Sequence, residues 1–186
     1  MIGYAFTGSF CTIEKSIQVM KKIINNGRQI LPIMSNNAYC IDTRFGKAEN
    51  IRNTIRDICQ REVIHTIVDA EPLGPKIKLD ALIISPCTGN TLAKIANGIT
   101  DTPVCMAAKA HLRNNNPLII ALATNDALSA NLKNIATLLS RKNVYFVPMV
   151  QDDPINKPHS LVSDFDLLEE TLNQALIGKQ ISKIFI

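Results

Sequence analysis

The residues of this 186-residue chain that could do chemistry gather in short polar runs, each following an apolar one. The richest run is Ser85-Pro86-Cys87-Thr88-Gly89-Asn90-Thr91. Apolar residues 81–84 precede it, and Leu92, Ile95, Ala96 and Ile99 follow at helical spacing. A strand–loop–helix corner aims backbone N–H groups and the positive end of a helix at one point, which is where open α/β sheets bind ligands. Thr88, Asn90 and Thr91 can add side-chain hydrogen bonds. Gly8-Ser9, Ser35-Asn36-Asn37 and Thr124-Asn125-Asp126 repeat the pattern behind residues 2–7, 29–34 and 118–123. Helix capping explains any one of these loops. Together, on one edge of a parallel sheet, they predict a site. A phosphate held there needs only hydroxyls and backbone N–H groups.

Other reactive side chains give less. Cys87 lies near a helix start, where a thiolate is stabilised, but no histidine is close in sequence and a small buried cysteine often only packs. His65, His111 and His159 are isolated, and no acidic pair has metal-ligand spacing, so no metal is expected. Asp152-Asp153 reads as an acidic turn. Lys109 and Arg113 stand four apart, on one face of any helix that holds them. Following an expected strand at residues 104–106, they would reach the ligand edge and could hold a carboxylate, with Arg44 as a further candidate. The Gly8-Ser9 turn is neither the dinucleotide fingerprint GxGxxG nor a P-loop. That disfavours a dinucleotide held by this chain alone and leaves a mononucleotide such as FMN.

The elements that must position these residues alternate strand and helix. Strands are expected at residues 2–7, 29–34, 81–84, 104–106, 118–123 and 144–147. Helices are expected at 13–24, 48–59, 127–139 and 161–176. Residues 67–78 read as a loop, and within it residues 71–76, like residues 151–158, are rich in proline and charge and read as outward segments that could contact a partner or cover the ligand. The fold class is therefore α/β: a Rossmann-like, doubly wound, mostly parallel six-stranded sheet with helices on both faces, in one domain spanning 1–186.

Composition agrees. Apolar residues make up 46% of the chain and aromatics 5%, which suits Ile/Leu/Val/Ala strands covered on both faces. A net charge of +4 without a dense basic block gives no case for nucleic acid. Five cysteines with no CxxC pair argue against a disulfide scaffold and a structural zinc, and point to the cytoplasm. Neither a signal peptide nor a membrane span is read in the sequence.

Gly8-Ser9, Ser35 and the run Pro86 to Gly98 resemble the FMN-binding flavoproteins that include the cysteine decarboxylases of coenzyme A and lantibiotic synthesis. Those carry Pro-Ala-Ser-Ala-Asn-Thr at this corner; Asn90-Thr91 match, and Cys87-Thr88-Gly89 depart. Their motif Pro-x-Met-Asn-x-x-Met-Trp survives here only as Asn125. Thr43-Arg44-Phe45-Gly46, Ala70 to Lys76, Thr88-Gly89-Asn90, Met106 to Ala110, Arg113-Asn114-Asn115 and Gln151-Asp152-Asp153-Pro154 resemble one branch of that family over nearly the whole chain. The resemblance implies FMN bound near Gly8, Ser9, Ser35, Cys87, Thr88, Asn90, Thr91 and Asn125, with Asn125 the candidate catalytic residue. It implies a flavoprotein subunit, itself homo-oligomeric, paired with a second chain that carries NAD(P). Together they would oxidise a dihydrodipicolinate-type ring to dipicolinate in the mother cell of a spore former. A flavin-dependent decarboxylase or prenylated-flavin synthase of the same fold, or a non-catalytic supporting chain, are the alternatives.

Overall fold

A computed structural model describes residues 1–186. In chain order the elements are β1 (Ile2–Phe6), α1 (Phe10–Asn25), β2 (Ile30–Met34), α2 (Asn36–Cys40), α3 (Ala48–Cys59), α4 (Ile67–Ala70), β3 (Ala81–Cys87), α5 (Gly89–Ala96), α6 (Pro103–Arg113), β4 (Leu118–Thr124), α7 (Leu132–Leu139), β5 (Val144–Phe146), β6 (Met149–Val150), β7 (Leu161–Ser163) and α8 (Leu168–Leu176). The strands form one seven-stranded sheet in the order β2-β1-β3-β4-β7-β6, with β5 also on β4. β2, β1, β3, β4 and β5 run parallel. β7 lies antiparallel to β4, and β6 to β7.

β1, β3 and even the edge strand β2 are buried at every residue, as strands sandwiched between helix layers require. Two apolar clusters fill the two faces. One holds Ile13, Ile17, Met20 and Ile23 of α1 against Tyr4, Phe6 and Ile83. The other holds Leu92 and Ile95 of α5 and Val104 and Ala108 of α6 against Leu82, Ile84 and Leu122.

The α/β class, with helices on both faces of a mostly parallel sheet, is as the sequence implies, but the sheet has seven strands and not six. Residues 104–106 are not a strand. Thr102 accepts the Cys105 N–H at 3.2 Å and Pro103 occupies the first helical turn, so Thr-Pro here is a cap followed by a helix start. The helix expected over 161–176 begins instead with β7, which pairs with β4 through Ala123↔Val162 and Thr124↔Leu161. That pairing brings the 151–160 loop to the carboxyl edge of the sheet. The helix over 127–139 is only α7, because side-chain bonds to Asp126 hold the preceding residues in turns. Residues 67–78 include the short α4, capped by Thr66 onto the Asp69 N–H at 3.1 Å.

Candidate functional site

The ends of β1 and β3 are tied by one hydroxyl. Thr7 Oγ1 donates to the Pro86 carbonyl at 2.7 Å and accepts the Thr88 N–H at 2.9 Å. Beside this junction a cleft of about 480 Å³ opens at the carboxyl edge, a size that suits a mononucleotide. Gly8, Ser9, Arg44, Thr88 and Asn125, all singled out from the sequence, line it together with Phe10, Cys11, Phe45, Thr124, Asp152 and Lys157.

Each corner has its own local logic. Ser9 precedes α1, yet its side chain makes no cap bond to the first-turn amides; it accepts the Thr12 hydroxyl at 3.2 Å. The start of a sixteen-residue helix is thus left open toward the cleft. A Cβ on Gly8 would meet Phe10 at 3.5 Å and Asn37 at 3.6 Å, ordinary contacts, so nothing in the fold itself demands glycine there. Asn37 carries the Ser35 corner up against that turn.

Other candidates have duties already. Ser35 Oγ accepts the Ala38 N–H at 3.3 Å, and the Ser35 N–H donates to the Phe6 carbonyl at 2.9 Å. Thr88 Oγ1 accepts the Thr91 N–H at 3.2 Å and donates to the Thr91 hydroxyl at 3.1 Å, which caps α5 and buries Thr91. Asn90 is exposed just inside α5, outside the cleft lining. Cys87 is fully buried, its thiol against the Thr88 carbonyl at 3.6 Å, and burial drives its pKa far above the ordinary thiol value. It packs and does not react.

Lys109 and Arg113 do not reach the cleft of their own chain. With residues 104–106 inside α6, the helix runs back toward the starts of β3 and β4. His111 Nε2 donates to the Pro117 carbonyl at 2.9 Å, and Leu82 N–H donates to the same carbonyl at 3.0 Å. Lys109 lines a small cavity with Ile95, Ile99 and Arg141, and Arg113 is exposed without an ion pair. Burial lowers the His111 pKa, which marks a neutral structural histidine. His65 is structural too, stacked on Tyr39 with ring centroids 3.9 Å apart.

Arg44 does reach the cleft, its guanidinium 4.8 Å from the Phe45 ring centroid. Across from it Lys157 Nζ donates to Asp152 Oδ2 at 3.1 Å, and Ser160 donates to Asp152 Oδ1 at 2.8 Å. Desolvation pushes the Asp152 carboxyl upward, but the bonds from Ser160 and Lys157 outweigh it and hold the group below its usual value. Sequence reasoning does not single out Lys157, and it places Thr124 only within the Thr124-Asn125-Asp126 corner, without a role of its own. Nor does it give a role to Asp126, which accepts the Thr124 hydroxyl at 2.6 Å. The one signal is the position of Thr124 and Asp126 flanking Asn125 at a strand end.

A doubly wound sheet with a polar cleft on its carboxyl edge is an architecture that places a ligand at the strand ends, and this chain belongs to the Flavoprotein family, whose model matches residues 1–168. It is 44% identical over 185 residues to the B subunit of dipicolinate synthase from Bacillus subtilis (strain 168), covering 100% of this chain and 92% of that one. The crystal structure of the dipicolinate synthase B subunit from Bacillus halodurans C has a TM-score of 0.91 at 40% identity, covering 100% of this chain and 95% of that one. The crystal structure of AnUbiX in complex with FMN and dimethylallyl pyrophosphate shares the fold, with a TM-score of 0.65 at 21% identity over 96% of this chain and 92% of that one.

Proposed function

We propose that this chain is the flavin-binding component of a dipicolinate synthase. With a nicotinamide-binding partner, like that enzyme's A subunit, it oxidises a dihydrodipicolinate-type ring to dipicolinate in the cytoplasm of the mother cell of a sporulating bacterium. The observation that carries this reading is the cleft. It gathers Gly8, Ser9, Arg44, Thr88 and Asn125 at one sheet edge, in a chain that matches the B subunit of dipicolinate synthase along its length.

The residues present fit FMN. The Gly8-Ser9 turn and the open start of α1 would meet the phosphate, with Ser35 alongside. Phe10 and Phe45 give apolar walls, and Thr88, Thr124 and Asn125 give polar groups for a ring system. Bound FMN supplies a two-electron acceptor, which no side chain can replace. Aromatising the ring removes one hydride and one proton, so the substrate must be held flat and oriented. Arg44 is placed to pair with a ring carboxylate, and Asn125, exposed at the cleft, to orient the ring.

The chain carries no dinucleotide fingerprint, so the nicotinamide belongs to the partner. Exposed Phe45, Val68 and Ile155 leave apolar surface for that partner or for further copies of this chain. The cysteine-decarboxylase motif survives only as Asn125, which gives the decarboxylase reading less support. Ring oxidation assayed with this chain alone, with the partner alone and with both is the test. Sustained turnover requires both; multiple turnovers by this chain alone, given substrate and nicotinamide cofactor, would contradict the two-component reading.

A further inference from the structure

Thr124 closes one side of the cleft, and its hydroxyl hydrogen is already committed, because Oγ1 donates to Asp126 Oδ1 at 2.6 Å. The other carboxylate oxygen accepts Asn131 Nδ2 at 2.8 Å. A carboxylate can only accept, so Asn131 must turn its nitrogen toward Asp126 and its oxygen away. That oxygen accepts Asn134 Nδ2 at 2.8 Å, and Asn134 Oδ1 accepts Asn97 Nδ2 at 3.3 Å. Asn97 Nδ2 also donates to the Ala93 carbonyl at 2.7 Å. One charge thus sets the direction of every bond in a chain of amides whose inner members, Asn131 and Asn134, are buried.

Gly89 makes room for this arrangement. A Cβ there would lie 2.5 Å from Asn131 Nδ2, 2.6 Å from Thr124 Oγ1 and 2.7 Å from Asp126 Oδ1, distances real Cβ atoms do not tolerate. This is the position where the decarboxylase motif has alanine and this sequence departs from it.

We propose that Asp126 is a positioning residue that fixes Thr124 as an obligate hydrogen-bond acceptor in the cleft, and that Gly89 is the paired change that admits the carboxylate together with the Thr124 and Asn131 side chains it holds in place. The wall then offers lone pairs and no hydrogen at Thr124, so it selects a ligand with an N–H or O–H donor at that point. A bare acceptor there would leave two oxygens facing each other, and it is rejected. This inference rests on reading the cleft as the site of FMN and a ring dicarboxylate, either of which could carry the donor.

The test has two parts. FMN is titrated into apo-protein for the unaltered chain, Thr124→Val, Thr124→Ser and Asp126→Asn, and KM for the ring substrate is measured with the partner present. A loss of about five- to tenfold in Thr124→Val and Asp126→Asn, restored in Thr124→Ser, supports the proposal. If the loss is in FMN affinity the donor is on the flavin, and if it is in KM alone the donor is on the substrate. Unchanged values for both, in folded variants, overturn the assignment of Thr124. A loss that merely tracks melting temperature across all variants also overturns it. The second part is a melting cycle independent of any ligand. Gly89→Ala lowers the melting temperature when Asp126 holds Thr124 and Asn131 against the glycine, and does so less in an Asp126→Ala background, where both side chains lose that anchor and can turn away; equal lowering in both backgrounds overturns the pairing. Failure of the unaltered chain to bind FMN would count against the proposed function, while the melting cycle still decides the pairing.

Discussion

Thr7 and Thr88 are joined by a hydrogen bond in which the Thr88 N–H donates to Thr7 Oγ1 at 2.9 Å, so the loops leaving β1 and β3 meet as a single wall. Thr7 is almost wholly buried, and its hydroxyl also donates to the Pro86 carbonyl at 2.7 Å. Two partners at once make it the fixed point of the cleft. Thr7→Val keeps the shape and removes both bonds, leaving the Thr88 N–H without this partner and the Pro86 carbonyl with the Thr7 backbone N–H, at 3.2 Å, as its remaining donor. The expected cost is about 1–3 kcal/mol of stability, read from chemical denaturation, with weaker FMN binding; Thr7→Ser restores both. A Thr7→Val protein as stable as the unaltered chain would remove Thr7 from this role.

Cysteine labelling follows burial. Cys11 and Cys40 are exposed, while Cys87 and Cys105 are buried, and burial raises both buried thiols. A maleimide should label Cys11 and Cys40 in the native protein and reach Cys87 only after unfolding, read by mass spectrometry of peptides. Cys87→Ala should keep its flavin and lose about 1 kcal/mol of stability from lost packing. Loss of flavin in that variant would return Cys87 to the site.

Stability should fall in alkali. Burial pushes Tyr4 up to about 12, against the pull of its bond to Ser16 and of the neighbouring Ser85 hydroxyl, and pushes Cys59 up to about 12. In the unfolded chain these groups release their protons from their ordinary values of 9.0 and 10.0 upward, while the fold still holds them. Their contribution is therefore fully present below about pH 9 and is lost as pH climbs toward 12. Urea midpoints should be level between pH 7 and 8.5 and lower at pH 10, and a midpoint that rises toward pH 10 would contradict the burial of these groups.

The two arginine candidates separate cleanly. Arg44 lines the cleft, whereas Arg113 ends α6 beyond its reach in the same chain. Arg44→Ala should raise KM for the ring dicarboxylate roughly ten- to hundredfold, the worth of a partly desolvated carboxylate bond. Arg113→Ala should leave FMN affinity and KM as they are. The reverse order would mean that another copy's α6 completes the cleft.

The parallel core of the sheet and the four polar corners are legible in the sequence because periodicity, strand length and small-residue loops are local signals. Gly8, Ser9, Thr88 and Asn125 converge in the structure as their strand ends require, and Arg44 joins them from the loop between α2 and α3. What misleads is also local: Thr102-Pro103 is a cap and helix start that resembles a strand entry, and that likeness carries Lys109 and Arg113 to the wrong edge. The antiparallel β7 is hidden because Leu161–Ser163 runs directly into helix-forming sequence. Asp126 and Gly89, far apart along the chain, cannot be paired from sequence at all; only packing brings the carboxylate against the glycine.

The most direct measurement of the central claim is flavin content after Ser9→Asp. Ser9 stands at the open start of α1 and makes no cap bond. An aspartate there should cap the helix and complement the positive end of its dipole, leaving the melting temperature unchanged or higher. The same charge would face the FMN phosphate. The account predicts a variant that is as stable as the unaltered chain yet without the visible flavin absorbance after purification and incubation with FMN; undiminished flavin absorbance in that variant would contradict a phosphate site at the Gly8-Ser9 turn.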